Sequence, residues 1–184
     1  MTRALVVIDV QGDMVATREA GYPWANPGAE ATIAALIAGF RAKGLAVVHV
    51  HHHETQEGAS MAPGSSAAAP LDCAQPLDGE AVFVKHGSSA FIGTGLEDHL
   101  RALGFSDLVI AGGEANMCVE SSTRMAGNLG FKVTVAEDAL INFQRTLRDG
   151  TVMPATTVLA MTLANLGGSF ATIASSEAVL AGLT

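Results

Sequence analysis

Three side chains far apart in the chain carry enough chemistry to build a reaction: Asp9, Lys85 and Cys118. Asp9 follows the apolar run 4–8, Lys85 closes the run Ala81-Val82-Phe83-Val84, and Cys118 follows Gly112-Gly113-Glu114-Ala115-Asn116 where a helical pattern begins. A thiol at a helix start gains from unpaired backbone N–H groups and the positive end of the helix dipole, both of which favour thiolate. Lys85 nearby is expected to lower its pKa further. Asp9 is suited to take the thiol proton as a general base and return it to a leaving group, and the N–H groups of the turn to hold an oxyanion. An Asp and a Lys that each end an apolar strand are costly to bury unless paired. The same residues therefore also fit a structural Asp9–Lys85 ion pair beside an inert Cys118.

The elements that must position these groups are legible as short apolar runs alternating with helical patterns. Strands are expected over 4–10, 46–50, 81–84, 107–111, 132–136 and 171–174. Most are continuously apolar, as strands covered on both faces are. Helices are expected over 28–43, 95–103, 118–129 and 155–166; Ile33, Leu36, Ile37 and Phe40 recur at helical spacing, and Gly44 ends that pattern. Gly104 and Gly130 end the next two in the same way. Such alternation implies an α/β fold with a parallel sheet and right-handed crossovers. Ligands in such sheets bind beyond the carboxyl ends of the strands, so topology brings Asp9, the histidines at 49–53, Lys85 and the segment 112–118 to one edge.

The 184 residues are 49% hydrophobic and 15% charged, which excludes a disordered chain and allows a single domain over 1–184 with a sizeable core. Ten basic against eighteen acidic residues give a net charge of −8, arguing against nucleic acid and an anionic membrane as partners. The run 4–8 is too short for a signal-peptide core or a membrane span, and Cys73 and Cys118 are too few for a disulfide framework. A reducing cytoplasm is the expected setting. Periodicity fails between His51 and Gly79, and GASMAPGSSAAAP at 58–70 is small and turn-forming. Residues 54–79 read as a lid-like loop or as a tolerated surface insertion.

ALVVIDVQGDMV, VFVKHGSSAFIGTGLEDHL and LVIAGGEANMCVESSTRMAGNLGFKVTVAEDA, in this order, resemble the motifs of the isochorismatase-like cysteine hydrolases. The resemblance places Asp9, Lys85 and Cys118 on the catalytic positions. It implies a three-layer α/β/α fold with a doubly wound six-stranded parallel sheet, and a cis peptide at Gly113–Glu114 in the oxyanion turn formed with Cys118. Ala115 stands where many members carry Thr, which costs the turn a hydroxyl but no backbone N–H. Nicotinamidases of this family hold a metal with an Asp-x-His pair, which this chain lacks. His49, His51 and His53 could share one strand face as a metal site, but pocket-lining, sheet-packing and solvated roles account for them, and neither metal nor cofactor is expected.

Gln11 and Asn116 are candidates to bind polar groups of a substrate or to satisfy turns, and Trp24 and Phe91 to line a pocket wall or fill the core or an interface. Cys73 reads as an incidental thiol and Asp138 as a helix cap. The expected activity is cleavage of a C–N bond of amide type in a small molecule through a Cys118 thioester. An ester, ureido or vinyl-ether hydrolase using the same site, and a non-catalytic binding scaffold, are the alternatives. A homo-oligomer, dimer or tetramer, is expected from the resemblance and the apolar composition.

Overall fold

Strand β1 (Thr2–Ile8) alternates its side chains between two separate cores. Leu5 and Val7 pack on one face with Ile33, Leu36, Ile37 and Phe40 of helix α2 (Ala29–Ala42), while Ala4, Val6 and Ile8 enter the other with Leu96 and Leu100 of α3 (Leu96–Ala102). A strand buried on both faces has no room for a polar position, which is why the run reads as uniformly apolar. The computed structural model describes residues 2–183. Its main sheet adds β2 (Ala46–His52), β3 (Ala81–Lys85), β4 (Phe105–Gly112), β5 (Lys132–Leu140) and, late in the chain, β8 (Thr172–Ala174). All six strands are parallel, in the order β3-β2-β1-β4-β5-β8.

Helices α1 (Gly12–Glu19), α2 and α6 (Ser176–Ala181) interrupt or follow these strands on one side, and α3, α4 (Glu120–Asn128) and α5 (Ala155–Leu166) on the other. The four side chains that α2 turns to the sheet are at most 1% exposed. Cutting any one of them to Ala would cost about 2–5 kcal/mol through lost transfer energy and the cavity left behind. The chain winds outward in both directions from the β1–β4 pair. That reversal opens a crevice at the carboxyl ends of β1 and β4, where doubly wound sheets bind ligands.

Three details depart from the pattern expected from sequence. β1 stops at Ile8, two residues early, because Asp9 adopts a left-handed backbone (φ 50°) that cannot continue a strand. β5 runs on to Leu140, past the expected end at 136. α1, α6 and the small antiparallel hairpin of β6 (Arg145–Thr146) and β7 (Val152–Met153) were not expected.

The aperiodic stretch after β2 holds a single 3₁₀ turn, Asp72–Ala74, among the described residues. It is nevertheless stitched to the start of α1: Gly12 and Asp13 donate main-chain hydrogen bonds to Ala69 and Ala67, and Leu71 donates to Val10, each at 2.9 Å. Gly12 is required by this contact, because a Cβ there would lie 2.1 Å from the Ser66 carbonyl oxygen.

Candidate active site

The left-handed turn at Asp9 drives its carboxylate down between strand ends, where the residue is 2% exposed, and its N–H is held by the Val50 carbonyl at 2.8 Å. Lys85 ends β3, two strands away, and is 1% exposed. Its long stem carries the ammonium past β2 to Asp9 Oδ2, 2.6 Å away. The same nitrogen donates to Cys118 Sγ at 3.2 Å and to the Gly87 carbonyl at 3.1 Å, with His52 Nδ1 at 3.5 Å. The second Asp9 oxygen, Oδ1, is buried without a hydrogen-bond partner, and the carboxyl as a whole interacts with the Cys118 thiol. The structure thus brings Asp9, Lys85 and Cys118 into one cluster.

Cys118 is aimed there by a tight crossing of β4 over β1. Gly112 has φ 121°, and a Cβ on it would sit 2.0 Å from the Ile8 carbonyl oxygen. Gly113 N–H then bonds that oxygen at 2.9 Å, the Gly113–Glu114 peptide is cis, and a π-helical turn (Ala115–Val119) leads into α4. Cys118 is the fourth residue of this turn rather than the first of a regular helix. Ala115 N–H is used by the Ile141 carbonyl, and Met117 and Val119 N–H by that of Glu114. Glu114 pairs with Arg145 of the hairpin, whose Nη2 also reaches Asn116 Oδ1 at 3.3 Å.

The electrostatics correct one expectation. Burial raises the Cys118 thiol to about 12, and the Asp9 carboxylate adds to the rise; the Lys85 ammonium opposes both and does not prevail. The resting sulfur is therefore a neutral thiol and not the thiolate expected from a helix start beside a lysine. Burial also raises Asp9 against the pull of Lys85. A buried carboxylate with heightened proton affinity beside a reluctant thiol is placed to accept its proton, so this pair favours transfer at the moment of attack over a standing thiolate. Cys73 is raised to about 11 by burial and by Glu30.

The remaining candidates separate. Gln11 is fully buried: its amide donates to the His52 and Ala68 carbonyls and accepts from His52 N–H, so it ties the segment after β1 to β2 and the long loop. Trp24 is core, with Nε1 on the Met14 carbonyl and its ring edge-on to Phe143. Phe91 packs on Phe131 with ring centres 5.9 Å apart. Asn116 stays at the turn, engaged by Arg145. Asp138 accepts from the N–H and hydroxyl of Ser176, capping α6 from the neighbouring strand.

Of the histidines, His49 is buried against Glu80 at 2.8 Å, and His51 lies edge-on to it, its pKa lowered to about 4 chiefly by burial. Among the described residues no three His, Cys, Asp or Glu side chains converge with metal-ligand geometry. Two groups at the site escaped sequence reasoning, the Gly87 carbonyl and Arg145; His52 was among the histidines expected at this edge, and parallel register sets it directly opposite Lys85.

Residues 3–164 match the profile of the Isochorismatase domain. A crystal structure of an isochorismatase-family protein from Chromobacterium violaceum is similar with a TM-score of 0.94 and 39% identity, covering 99% of this chain and 93% of that one. YrdC, an uncharacterized isochorismatase family protein of Bacillus subtilis, is 30% identical over 181 residues, 97% of this chain and 94% of its own. Shorter matches carry named activities: streptothricin hydrolase of Streptomyces noursei is 34% identical over 139 residues (74% of this chain, 49% of that one). Ureidoacrylate amidohydrolase RutB of Agrobacterium fabrum is 37% identical over 83 residues (45% and 36%). With a parallel sheet in this order, the matched profile and relatives of this coverage, the chain belongs to the isochorismatase family of hydrolases.

Proposed function

We propose that this chain hydrolyses a C–N bond of amide type in a small molecule through a thioester on Cys118. The observation that carries the reading is the Lys85 ammonium held between Asp9 Oδ2 and Cys118 Sγ, at 2.6 and 3.2 Å, in a site closed to bulk water on the Asp9 side. Asp9 takes the thiol proton as sulfur attacks the carbonyl carbon; the S–C bond forms and the carbonyl electron pair moves to oxygen. Within the first turn of a helix N–H groups lack intrahelical partners, and those of Glu114 and Cys118 are the donors for this oxyanion. The pair collapses back, the C–N bond breaks, and Asp9 gives its proton to the departing amine. Water then adds to the thioester, yielding its proton to Asp9 and leaving a carboxylic acid, and the proton returns to sulfur. Loss of one oxyanion donor typically costs about 10²–10³-fold in rate, so the turn ranks with the side chains.

The relative named an amidohydrolase supports the choice of bond. The exposed Leu147 and Met161, which line one groove between the hairpin and α5, support a homo-oligomer. The test is Cys118→Ala assayed on a panel of small primary amides and ureides, with circular dichroism to check folding and intact mass to trap the acyl-enzyme in the parent. Turnover should vanish with the fold intact. A variant that keeps the parental rate on any hydrolysed amide overturns the covalent mechanism.

A further inference from the structure

Lys85 has three N–H bonds to give and four acceptors within reach: Asp9 Oδ2, Gly87 O, Cys118 Sγ and His52 Nδ1. The first three are the shorter contacts, and His52 at 3.5 Å is the spare. This surplus matters once the sulfur is acylated. In the thioester the sulfur lone pair is partly drawn into the carbonyl, so this sulfur accepts more weakly than the resting thiol, and the N–H that pointed at Cys118 loses its partner while Lys85 stays buried. We infer that His52 is a positioning residue for Lys85, its Nδ1 taking over that N–H in the acyl-enzyme and keeping the ammonium against Asp9 while water attacks. The inference rests on the thioester proposed above.

Several independent features suit His52 to this task. Its main chain is clamped on both polar atoms by the buried Gln11 side chain, with His52 N–H to Gln11 Oε1 at 2.7 Å and Gln11 Nε2 to His52 O at 3.0 Å. Parallel register sets it opposite Lys85 and fixes its Cα there. Nδ1 must carry a lone pair, which places the ring hydrogen on Nε2. The charged and titratable groups around it are Lys85 and His86 from β3 and its continuation, Asp9 after β1, Asp13 of α1 and Glu54 of the long loop. Burial first, and the Lys85 ammonium next, lower its pKa against the acidic neighbours, so the imidazole is neutral at neutral pH and its acceptor is open. Protonation at lower pH would set a cation against Lys85 and close it.

The probe is p-nitrophenyl acetate, whose activated ester acetylates a nucleophilic cysteine without requiring the natural substrate. Nitrophenolate release reports acylation, and intact mass followed over time reports loss of the acetyl group from Cys118, with Cys118→Ala as the blank. His52→Leu removes the acceptor. His52→Asn keeps one at the place of Nδ1 and cannot titrate. The expected result is acetylation within a few-fold of the parent in both variants, with loss of the acetyl group slowed roughly ten- to a hundred-fold in His52→Leu, the cost of one charged hydrogen bond.

His52→Asn should restore deacylation to within a few-fold and move its acid limb to lower pH, leaving only the part set by Asp9, which a merely structural role for the ring would not do. Equal deacylation rates in parent and His52→Leu, or an unaltered acid limb in His52→Asn, overturn the inference while leaving the nucleophile in place. No adduct on Cys118 in the parent overturns the thioester itself, and the role of His52 falls with it.

Discussion

Replacing Lys85 by Met keeps most of the apolar stem and deletes the charge that faces Asp9 Oδ2 at 2.6 Å. Removing one partner of a buried ion pair costs about 3–5 kcal/mol, because the other charge is left without compensation. Asp9 has one escape, which is to take a proton. An unfolded Asp ionises near pH 3.9, so holding Asp9 protonated in the fold at pH 7 costs about 4 kcal/mol, and about 1.4 kcal/mol less for each pH unit below that. The sign follows from proton counts. Burial already raises Asp9 with Lys85 present, and without Lys85 nothing opposes that rise. The folded variant then binds a proton that its unfolded chain does not, so its stability falls as pH rises.

The loss relative to the parent should therefore be greatest at pH 7 and smaller at pH 5, by up to about 3 kcal/mol, reduced by whatever proton the raised Asp9 of the parent already takes up in that range. Other titrating groups, such as the buried histidines, are common to both proteins and cancel in the difference. Urea titrations of both proteins at pH 5, 6 and 7, followed by circular dichroism, measure it. Adding Asp9→Asn to the Lys85→Met chain should abolish the slope. A loss that is the same at every pH, or below about 1 kcal/mol at pH 7, would refute the picture of a buried, ionised pair.

Two further outcomes follow from the same geometry. Asp9→Asn should stop hydrolysis yet speed alkylation of Cys118 by iodoacetamide at pH 8 by roughly ten-fold, because the carboxylate is one of the causes that hold the thiol near 12; slower or unchanged alkylation, read by mass spectrometry with Cys73 as reference, would contradict the assigned electrostatics. Gly12→Ala must displace the Ser66 carbonyl, since its Cβ would come within 2.1 Å. Limited proteolysis should then cut within 54–79 faster than in the parent, and an unchanged digestion rate would show that this stretch is held by other contacts.

Much of this could be read from sequence, for identifiable reasons. Strands buried on both faces leave an unambiguous apolar signature, and α2 and α5 are long enough to show their period. Helix α1 escaped because its sequence, GDMVATRE, buries only Met14 and has no apolar stripe. β6 and β7, at two residues each, are too short to carry any period. Asp9, Lys85 and Cys118 were legible as polar residues at strand ends, and the sheet does gather them. The protonation state of Cys118 was not legible, because depth of burial outweighs a dipole and a lysine here and depth is a property of the assembled site. Gln11 misled for a related reason: nothing in its neighbours along the chain announces that His52 and Ala68 will claim its amide.

The place of β1 also shapes how the protein is made. β1 precedes both of its partners in the chain and is an inner strand, paired on one side with Ala46–His52 and on the other with Phe105–Gly112. The nascent chain can close the first side early. It must then carry the second, an unpaired and uniformly apolar edge, until residues 105–112 are synthesised. At ordinary elongation speeds that wait is on the order of 3–12 s, long compared with the collapse of the flanking helices. The exposed edge is capped from within the chain only when β4 arrives, and Cys118 follows it by a few residues. Pairing of the second side of β1 and completion of the reactive cluster are thus nearly a single event in the life of the chain.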